Sequence, residues 1–450
     1  MIDKRAIATT VVKKLRSRGF DAYFAGGCVR DDLLGITPSD FDVASSATPE
    51  EVISLFTKTV PVGAAFGVVL VIEEGVQVEV ATFRTEGGYQ DGRRPTHVQF
   101  ATVEEDAARR DFTVNGLYSS PGSSEVLDFV GGRRDLKRRI IRTIGNADDR
   151  FSEDRLRMLR AIRFAVQLDF EIDPDTFEAI KRHADKILQV SWERIRDEWT
   201  KIITSSTPAK GLRLLDECGL LRLLFPEIEA MKGVEQPAQY HPEGDVFVHT
   251  MMLMDQLSSP CFELAMGALF HDVAKPNTFE RAADRIRFHG HDSIGAEMTE
   301  AICRRLVVPN EPMKLIRELV KQHLRFKDAF DMKKSTLKRF FSLPRFDLHL
   351  ELHRIDCLAS HGKLDAYHFC REKIREFESE PPPPLKLVTG EDLKQMGYAP
   401  GPRYASILTE VEDQVLEGSI ADREQALAYI RKHFGEKNAP SSGRKSNRES

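Results

Sequence analysis

The chain has 450 residues, 41% apolar and 30% charged, with a formal net charge of −5 and an isoelectric point near 6.3. This excludes wholesale disorder, and it excludes bulk basicity as a route to nucleic acid; any polyanion site must come from local clusters of Arg and Lys. Six cysteines, at 28, 218, 261, 303, 357 and 370, form no CxxC pair, which excludes a zinc ribbon or a disulfide framework and points to a reducing compartment. No stretch approaches the roughly 18 apolar residues of a membrane span, and residues 1–20 read as an amphipathic helix and not as a secretory leader. A cytoplasmic location without a membrane partner is expected.

In chain order, residues 4–18 predict a helix closed by Gly19, and 20–25 a buried strand feeding Gly26-Gly27. A Gly-Gly turn lets backbone N–H groups approach a phosphate at the start of the short helical run 28–34, where Arg30 adds a cation. Asp40 and Asp42 then flank Phe41. Alternate strand residues face the same way, so both carboxylates are expected on one face, about 7 Å apart. Anions so placed repel unless cations come between them, and Mg²⁺ prefers such oxygen ligands. Together these features predict a polyphosphate site with metal; the alternative is a turn with two solvated aspartates.

Thr48 is the expected N-cap of a helix with Pro49 in its first turn. Runs 66–72 and 76–83 predict a hairpin, with Glu79 between Val78 and Val80. A carboxylate in an apolar run is costly unless something cationic meets it. If its strand lies beside Asp40 and Asp42, Glu79 supplies a third carboxylate; otherwise it is an edge residue facing water. Residues 85–95 carry Gly and charge without periodicity and predict a mobile loop. In 108–118, ARRDFTVNGLY, arginines can clamp a triphosphate while Asp111 and Asn115 hold ribose hydroxyls; a capped helix start is the alternative.

Residues 133–163 hold eleven Lys/Arg against five Asp/Glu, a basic patch in an acidic chain. A long helix is expected from Phe151 with Ser152 as N-cap, carrying Asp154, Arg157, Arg160 and Arg163 as a polar stripe. Read as a surface Asp–Arg pair, it would contribute only tenths of a kcal/mol. Further helices fill 174–224, with Trp192 and Trp199 at core spacing. A histidine-bearing region follows, in which His249, His271-Asp272 and Asp356 occur in an order suited to a divalent metal in a helical core. Pro381 to Pro384 predict a stiff linker. A last helical module contains 389–408, and 436–450 are polar and expected to be disordered.

The segments GGCVRD, DFDVAS, EVATFR, RRDFTVN and FSEDRLRMLRAIRFA occur in the order seen in the class II tRNA nucleotidyltransferase and bacterial poly(A) polymerase family. The chain resembles the subgroup with an HD-type domain over nearly its whole length. The resemblance implies an α+β fold: a nucleotidyltransferase head with a five-stranded mixed sheet (1–138), then an all-helical neck that recognises the base (139–208), a body with the HD region (209–380) and a tRNA-binding tail (381–435). It implies that Asp40 and Asp42 hold two Mg²⁺ ions with Glu79 as third carboxylate. Gly26, Gly27 and Arg30 would meet the triphosphate, and Arg110, Asp111 and Asn115 the phosphate and sugar. Asp154 and Arg157 would read the base, with Arg160 and Arg163 beside them, and the 85–95 loop would help the passage from adding C to adding A. Gly116 stands where the family more commonly has Ala.

Base chemistry agrees with the resemblance. Cytosine and adenine both present an amino donor beside a ring-nitrogen acceptor, which an accepting Asp and a donating Arg match, whereas uracil and guanine offer the opposite order. The expected activity is untemplated addition of CMP and AMP, from CTP and ATP, to the 3′ end of tRNA, releasing pyrophosphate. A-only or CC-only addition and poly(A) synthesis are alternatives. VGAAFGVVLV lacks the basic stretch typical of poly(A) polymerases, and an intact YQDGRRP weighs against CC-only addition. A different class of activity is metal-dependent hydrolysis of RNA ends or cyclic phosphates by the HD region, with Mn²⁺, Ni²⁺ or Co²⁺. A non-catalytic RNA-binding role fits poorly with intact Asp40, Asp42 and Glu79.

Overall fold

A computed structural model describes residues 3–63, 67–90, 94–237, 239, 241–380 and 386–435. The chain divides into two compact units, residues 1–320 and 321–450. The boundary falls inside the segment read above as body.

The first unit opens with α1 (Lys4–Arg16), started by the Asp3 carboxylate accepting from the Ala6 amide and anchored by buried Ile7, Val11 and Leu15 on one face. Then come β1 (Ala22–Ala25), α2 (Gly27–Leu33), β2 (Asp42–Ser45), α3 (Pro49–Leu55), β3 (Thr59–Gly63), β4 (Val68–Glu73) and β5 (Val76–Thr82). Thr48 caps α3 as expected, in a reciprocal pair with Glu51. Next are β6 (Arg84–Gln90), β7 (Arg94–Phe100), α4 (Val103–Ala108), β8 (Leu117–Ser119), β9 (Val126–Asp128) and α5 (Gly132–Arg138). The main sheet has the order β3-β4-β5-β2-β1-β8-β9; β2 and β5 run parallel and the other neighbours antiparallel. It therefore carries seven strands instead of five. The three-residue strands β8 and β9 are too short to show a two-residue period in the sequence.

Residues 85–95 also differ from the expected loop. β6 and β7 pair as a separate antiparallel hairpin, with Thr85 opposite Gln99. Backbone pairing needs no side-chain period, so the Gly-rich stretch concealed it. Residues 91–93 of that segment lie outside the described residues, as do the linker 381–385 and 436–450.

The basic stretch 133–163 contains a break where one long helix was expected. α6 (Ala147–Glu153) is capped by Asn146, whose side chain accepts from the amides of Asp148 and Asp149, so Ser152 lies inside it and is no cap. Asp154 is extended and its carboxylate accepts from the Leu156 amide at 3.0 Å, which ends one helix and starts α7 (Arg157–Leu168). α8 (Pro174–His183) and α9 (Trp192–Ile203) follow; Trp199 is fully buried against Phe225, whereas Trp192 is only half-buried. The unit ends in further helices, including Val246–Asp255, Phe262–Phe270 and His291–Arg305.

The second unit is helical. Phe326, Phe340, Phe346 and Cys370 form one core, and Leu393, Ile407, Val411 and Ile430 another. The second core belongs to the terminal module, where Thr389 and Asp392 cap Gly390–Gln395 reciprocally and Arg423 pairs with Asp392. Among the described residues, no helix is long and apolar enough to cross a membrane.

The seat of α5 is tight. The Asp128 carboxylate accepts from the amides of Val130, Gly131, Gly132 and Arg133, drawing the helix under the 3-10 turn Thr113–Asn115. A Cβ on Gly132 would lie 2.2 Å from the Thr113 carbonyl oxygen. Gly132→Ala is therefore expected to lower stability by about 1–3 kcal/mol, the range of overpacked cores, measured by urea unfolding.

Candidate functional site

A cleft of about 520 Å³ opens where β1, β2 and β5 meet the start of α7. Ala25 pairs with Asp42 as the last rung between β1 and β2. The chain then turns at Gly26 into α2, so residues 40 and 41 have no strand to pair with. Asp40 is therefore not on the strand, contrary to the expected Asp-Phe-Asp face. It is exposed and lies 3.0 Å from Lys4 Nζ, which holds its carboxyl below the usual range, while Phe41 packs against Phe24. Parallel pairing of Val43 with Val80 sets Asp42 beside Glu79, and both line the cleft. Asp42 has substantial solvent-accessible area. At the cleft floor its hydration is nonetheless incomplete; this desolvation, reinforced by Glu79, pushes its carboxyl up to about 6.

Gly26 adopts a positive φ of 73°, and a Cβ there would come within 3.0 Å of Arg110 Nη1; the turn needs glycine on both counts. Gly27, Arg30, Arg110, Asp111 and Asn115 also line the cleft. Arg30 Nη1 donates to Asn115 Oδ1 at 2.7 Å, and its Nη2 lies 2.7 Å from Asp31. Asn115 Nδ2 donates to Asp111 Oδ1 at 3.2 Å, and Arg160 Nε donates to Asp111 Oδ2 at 2.8 Å. Burial alone would raise the Asp111 carboxyl, but Arg160 brings it down to about 2. Gly116 suits its surroundings, since a Cβ there would meet Val130 at 2.7 Å.

Asp154, Arg157 and Arg160 line the opposite wall. Asp154 and Arg157 do not form the side-chain pair considered from the sequence. Asp154 Oδ2 accepts from Arg194 of α9 at 2.9 Å, and Arg157 Nη1 donates to Glu153 at 2.6 Å. Arg163 stands outside the lining: it is buried, lies 3.0 Å from Glu198 and stacks on Phe164. Burial and neighbouring Arg160 bring its guanidinium down to about 10, against the pull of Glu198.

Several residues of the site escaped the sequence reading. Arg84, Arg194 and Phe164 line the cleft, beside Arg109 of the expected triphosphate clamp. Beneath them Asp106, only 1% exposed, accepts from Arg109 Nη2 at 2.6 Å, Arg110 Nη2 at 3.1 Å and the Tyr118 hydroxyl at 2.6 Å. The available signal was Asp106 at i,i+3 and i,i+4 to Arg109 and Arg110.

A second cluster occupies the histidine-bearing part of the first unit. His249, His271 and Asp272 are all buried, and Glu243 and His291 join them. His249 Nδ1 lies 2.8 Å from Glu243, His271 Nδ1 2.8 Å from the Ala268 carbonyl and His291 Nδ1 2.7 Å from the Phe288 carbonyl. His271 and His291 thus each have an acceptor behind the ring, while His249 Nδ1 lies beside the Glu243 carboxylate, and each Nε2 faces the Asp272 carboxylate, at 3.9, 3.1 and 3.5 Å. Fixing the far nitrogen in this way is how proteins orient histidines toward a metal. Burial lowers His291 further below its ordinary range, favouring the neutral, ligating ring. Lys275 Nζ, 2.6 Å from Asp272 Oδ2, already supplies one positive charge. Asp356 lies half-buried on Phe346–Ala359 in the second unit.

Residues 22–142 match the poly A polymerase head domain, 169–232 a probable RNA and SrmB-binding site of polymerase A, and 245–354 the HD domain. The chain is similar to the CCA-adding enzyme of Streptococcus thermophilus (strain CNRZ 1066), 32% identical over 426 residues, which are 94% of this chain and 96% of that protein. To the CCA-adding enzyme of Ligilactobacillus salivarius (strain UCC118) it is 47% identical over 207 residues, 46% of this chain and about half (51%) of that relative. Among solved structures it resembles the Bacillus stearothermophilus CCA-adding enzyme in complex with CTP, with a TM-score of 0.64, 27% identity and coverage of 96% of this chain and 99% of the other.

The buried Asp106 carboxylate is expected to be the costliest single charge to remove from the cleft. Asp106→Asn leaves Arg109 and Arg110 uncompensated and should lower stability at neutral pH by about 3 kcal/mol. Its carboxyl lies below the ordinary range, because Arg110 and Arg109 outweigh the opposing effect of burial. Its stabilisation is therefore complete above the unfolded carboxyl's pKa and is lost as pH falls through the folded value. Urea unfolding across pH should show a shallower acid limb in Asp106→Asn than in wild type.

Proposed function

The chain belongs to the CCA-adding enzymes, and we infer from that membership and from the cleft that it transfers CMP and AMP from CTP and ATP to the 3′ end of tRNA. The observation that carries this reading is one cleft that joins paired carboxylates, an arginine-lined wall and the Asp154–Arg157 edge. Asp42 and Glu79 fit a divalent metal: they are adjacent, face the cleft and lack enough cationic compensation to keep the Asp42 carboxyl in its ordinary range. With Asp40 released from Lys4, the three carboxylates would hold two Mg²⁺ ions. Such ions lower the pKa of an attacking hydroxyl and offset charge on departing pyrophosphate.

The chain's own groups supply the rest. Arg30 and Arg110 would grip the triphosphate, holding its β- and γ-phosphates as the leaving group while the tRNA 3′-hydroxyl attacks the α-phosphorus in line. Asp111 and Asn115 would meet the ribose. Asp154 would accept from the base and Arg157 would donate to it, the order that cytosine and adenine share. Uracil or guanine would leave both unmatched.

Asp42→Ala should reduce nucleotide addition by at least about a thousandfold while tRNA binding persists, because the carboxylate acts on the reacting centre and not on the RNA. Asp40→Ala should behave alike. Single-turnover incorporation and filter binding measure the two effects. At limiting Mg²⁺, wild-type addition should also rise with pH through about 6, where Asp42 loses its proton. Normal addition by Asp42→Ala at saturating Mg²⁺ would contradict the assignment.

A second reading concerns the histidine cluster, and the fixed Nδ1 atoms of His271 and His291, with three Nε2 atoms facing Asp272, favour it. His249, His271, Asp272 and His291 fit a divalent ion such as Mn²⁺, Ni²⁺ or Co²⁺. A divalent ion held by these residues would supply Lewis-acid activation of a water toward a phosphodiester. Asp272 must first exchange its contact with Lys275. Stripped protein reloaded with these ions should retain metal by mass spectrometry and hydrolyse a 2′,3′-cyclic phosphate. His271→Ala should lose both properties without a change in CMP addition; retention of metal by the variant would return the cluster to a structural role.

A further inference from the structure

Phe164 lines the cleft from α7 and serves as a shared platform. The Arg30 guanidinium lies 5.3 Å from its ring centroid and that of Arg160 5.4 Å, both over the ring. The same two arginines are joined a second way, through side chains of the head. Arg30 donates to Asn115, Asn115 to Asp111, and Arg160 to Asp111, at 2.7, 3.2 and 2.8 Å. Arg30, Asn115, Asp111, Arg160 and Phe164 thus close a ring. Three members come from the head and two from α7, the helix that begins at the base-reading edge. Phe112 adds an edge-on contact to Phe164 at 5.7 Å.

The ring has a mechanical consequence. Arg30 and Asn115 are buried, and Arg160 is two-thirds buried, so the bonds on the head side compete little with water. A displacement of Arg30 by a triphosphate strains Asn115 and Phe164, and through them Arg160 and the seat of α7. We propose that Phe164 is a positioning residue that couples grip on the triphosphate to choice of the base. The inference rests on the reading of Asp154 and Arg157 as the base-reading edge. Without coupling, the two recognitions are separable: CTP and UTP carry the same triphosphate, and a change confined to its grip weakens both equally.

The test is single-turnover incorporation of CTP and UTP into tRNA lacking its last three nucleotides, with thermal midpoints as a control. Arg30→Lys keeps the charge but loses the flat stack and the Asn115 geometry. It is expected to weaken use of both nucleotides and also to narrow the CTP:UTP ratio by about fivefold to thirtyfold, the scale of a desolvated cation–π contact. Phe164→Leu keeps apolar volume and should narrow the ratio similarly, Phe164→Tyr should restore it, and the double variant should add little beyond either single one. A ratio unchanged in Arg30→Lys overturns the coupling, even if Phe164→Leu fails to fold. Asp154→Ala separates the underlying reading: an unchanged ratio there shows that the base is read elsewhere, whereas a changed ratio there with an unchanged one in Arg30→Lys removes the coupling alone.

Discussion

A cleft lined by arginines must gather cations that repel one another before any ligand arrives, and much of the first unit answers that constraint. Among the described residues, Arg30, Arg84, Arg109, Arg110, Arg157, Arg160 and Arg194 line this cleft. Anchoring carboxylates lie outside the Asp42–Glu79 pair. Asp31 holds Arg30, Asp106 holds Arg109 and Arg110, Glu153 holds Arg157, Asp111 holds Arg160 and Asp154 holds Arg194. Each anchor engages only part of a guanidinium's fork of five donors and leaves the rest for other partners, so the cations are fixed in place. The acidic balance of the whole chain is compatible with a polyanion site for this reason.

The histidine cluster meets a related demand by other means. There the buried centre is a carboxylate, Asp272, and imidazole rings are turned toward it, two of them held by backbone carbonyls behind them. Lys275 compensates the charge. A lysine ammonium is a compact point charge on a flexible stem, so it can give way to a divalent ion more readily than an arginine fork could.

How far the sequence carried the argument follows from the kind of interaction involved. Local chemistry was legible: the Gly26 turn, the Thr48 cap, Glu79 in an apolar run and the His271-Asp272 doublet each announce themselves within a few residues. Partners brought in by tertiary packing were not. Arg194 reaches Asp154 from forty residues away, and Glu243 and His291 join His249 and Asp272 only once their segments pack. Phe164 reads in the sequence as one more apolar position on a helix. The helix break at Asp154 was missed because an aspartate that binds the amide two residues ahead resembles, in sequence, any aspartate near a helix start. The Asp-Phe-Asp strand was over-extended for a topological reason: β1 turns away after Ala25 and leaves Asp40 without a partner strand.

The central claim is that protein side chains alone select CTP and then ATP. It is tested most directly with three tRNA primers, lacking the last three, two or one nucleotides of the 3′ end, each offered CTP or ATP singly and then both. The account predicts two CMP additions to the first primer, one to the second and none to the third, one AMP addition to the third from ATP, and extension that stops after the terminal A. Long A tails, incorporation of UMP or GMP at comparable rates, or no addition to any primer would contradict it.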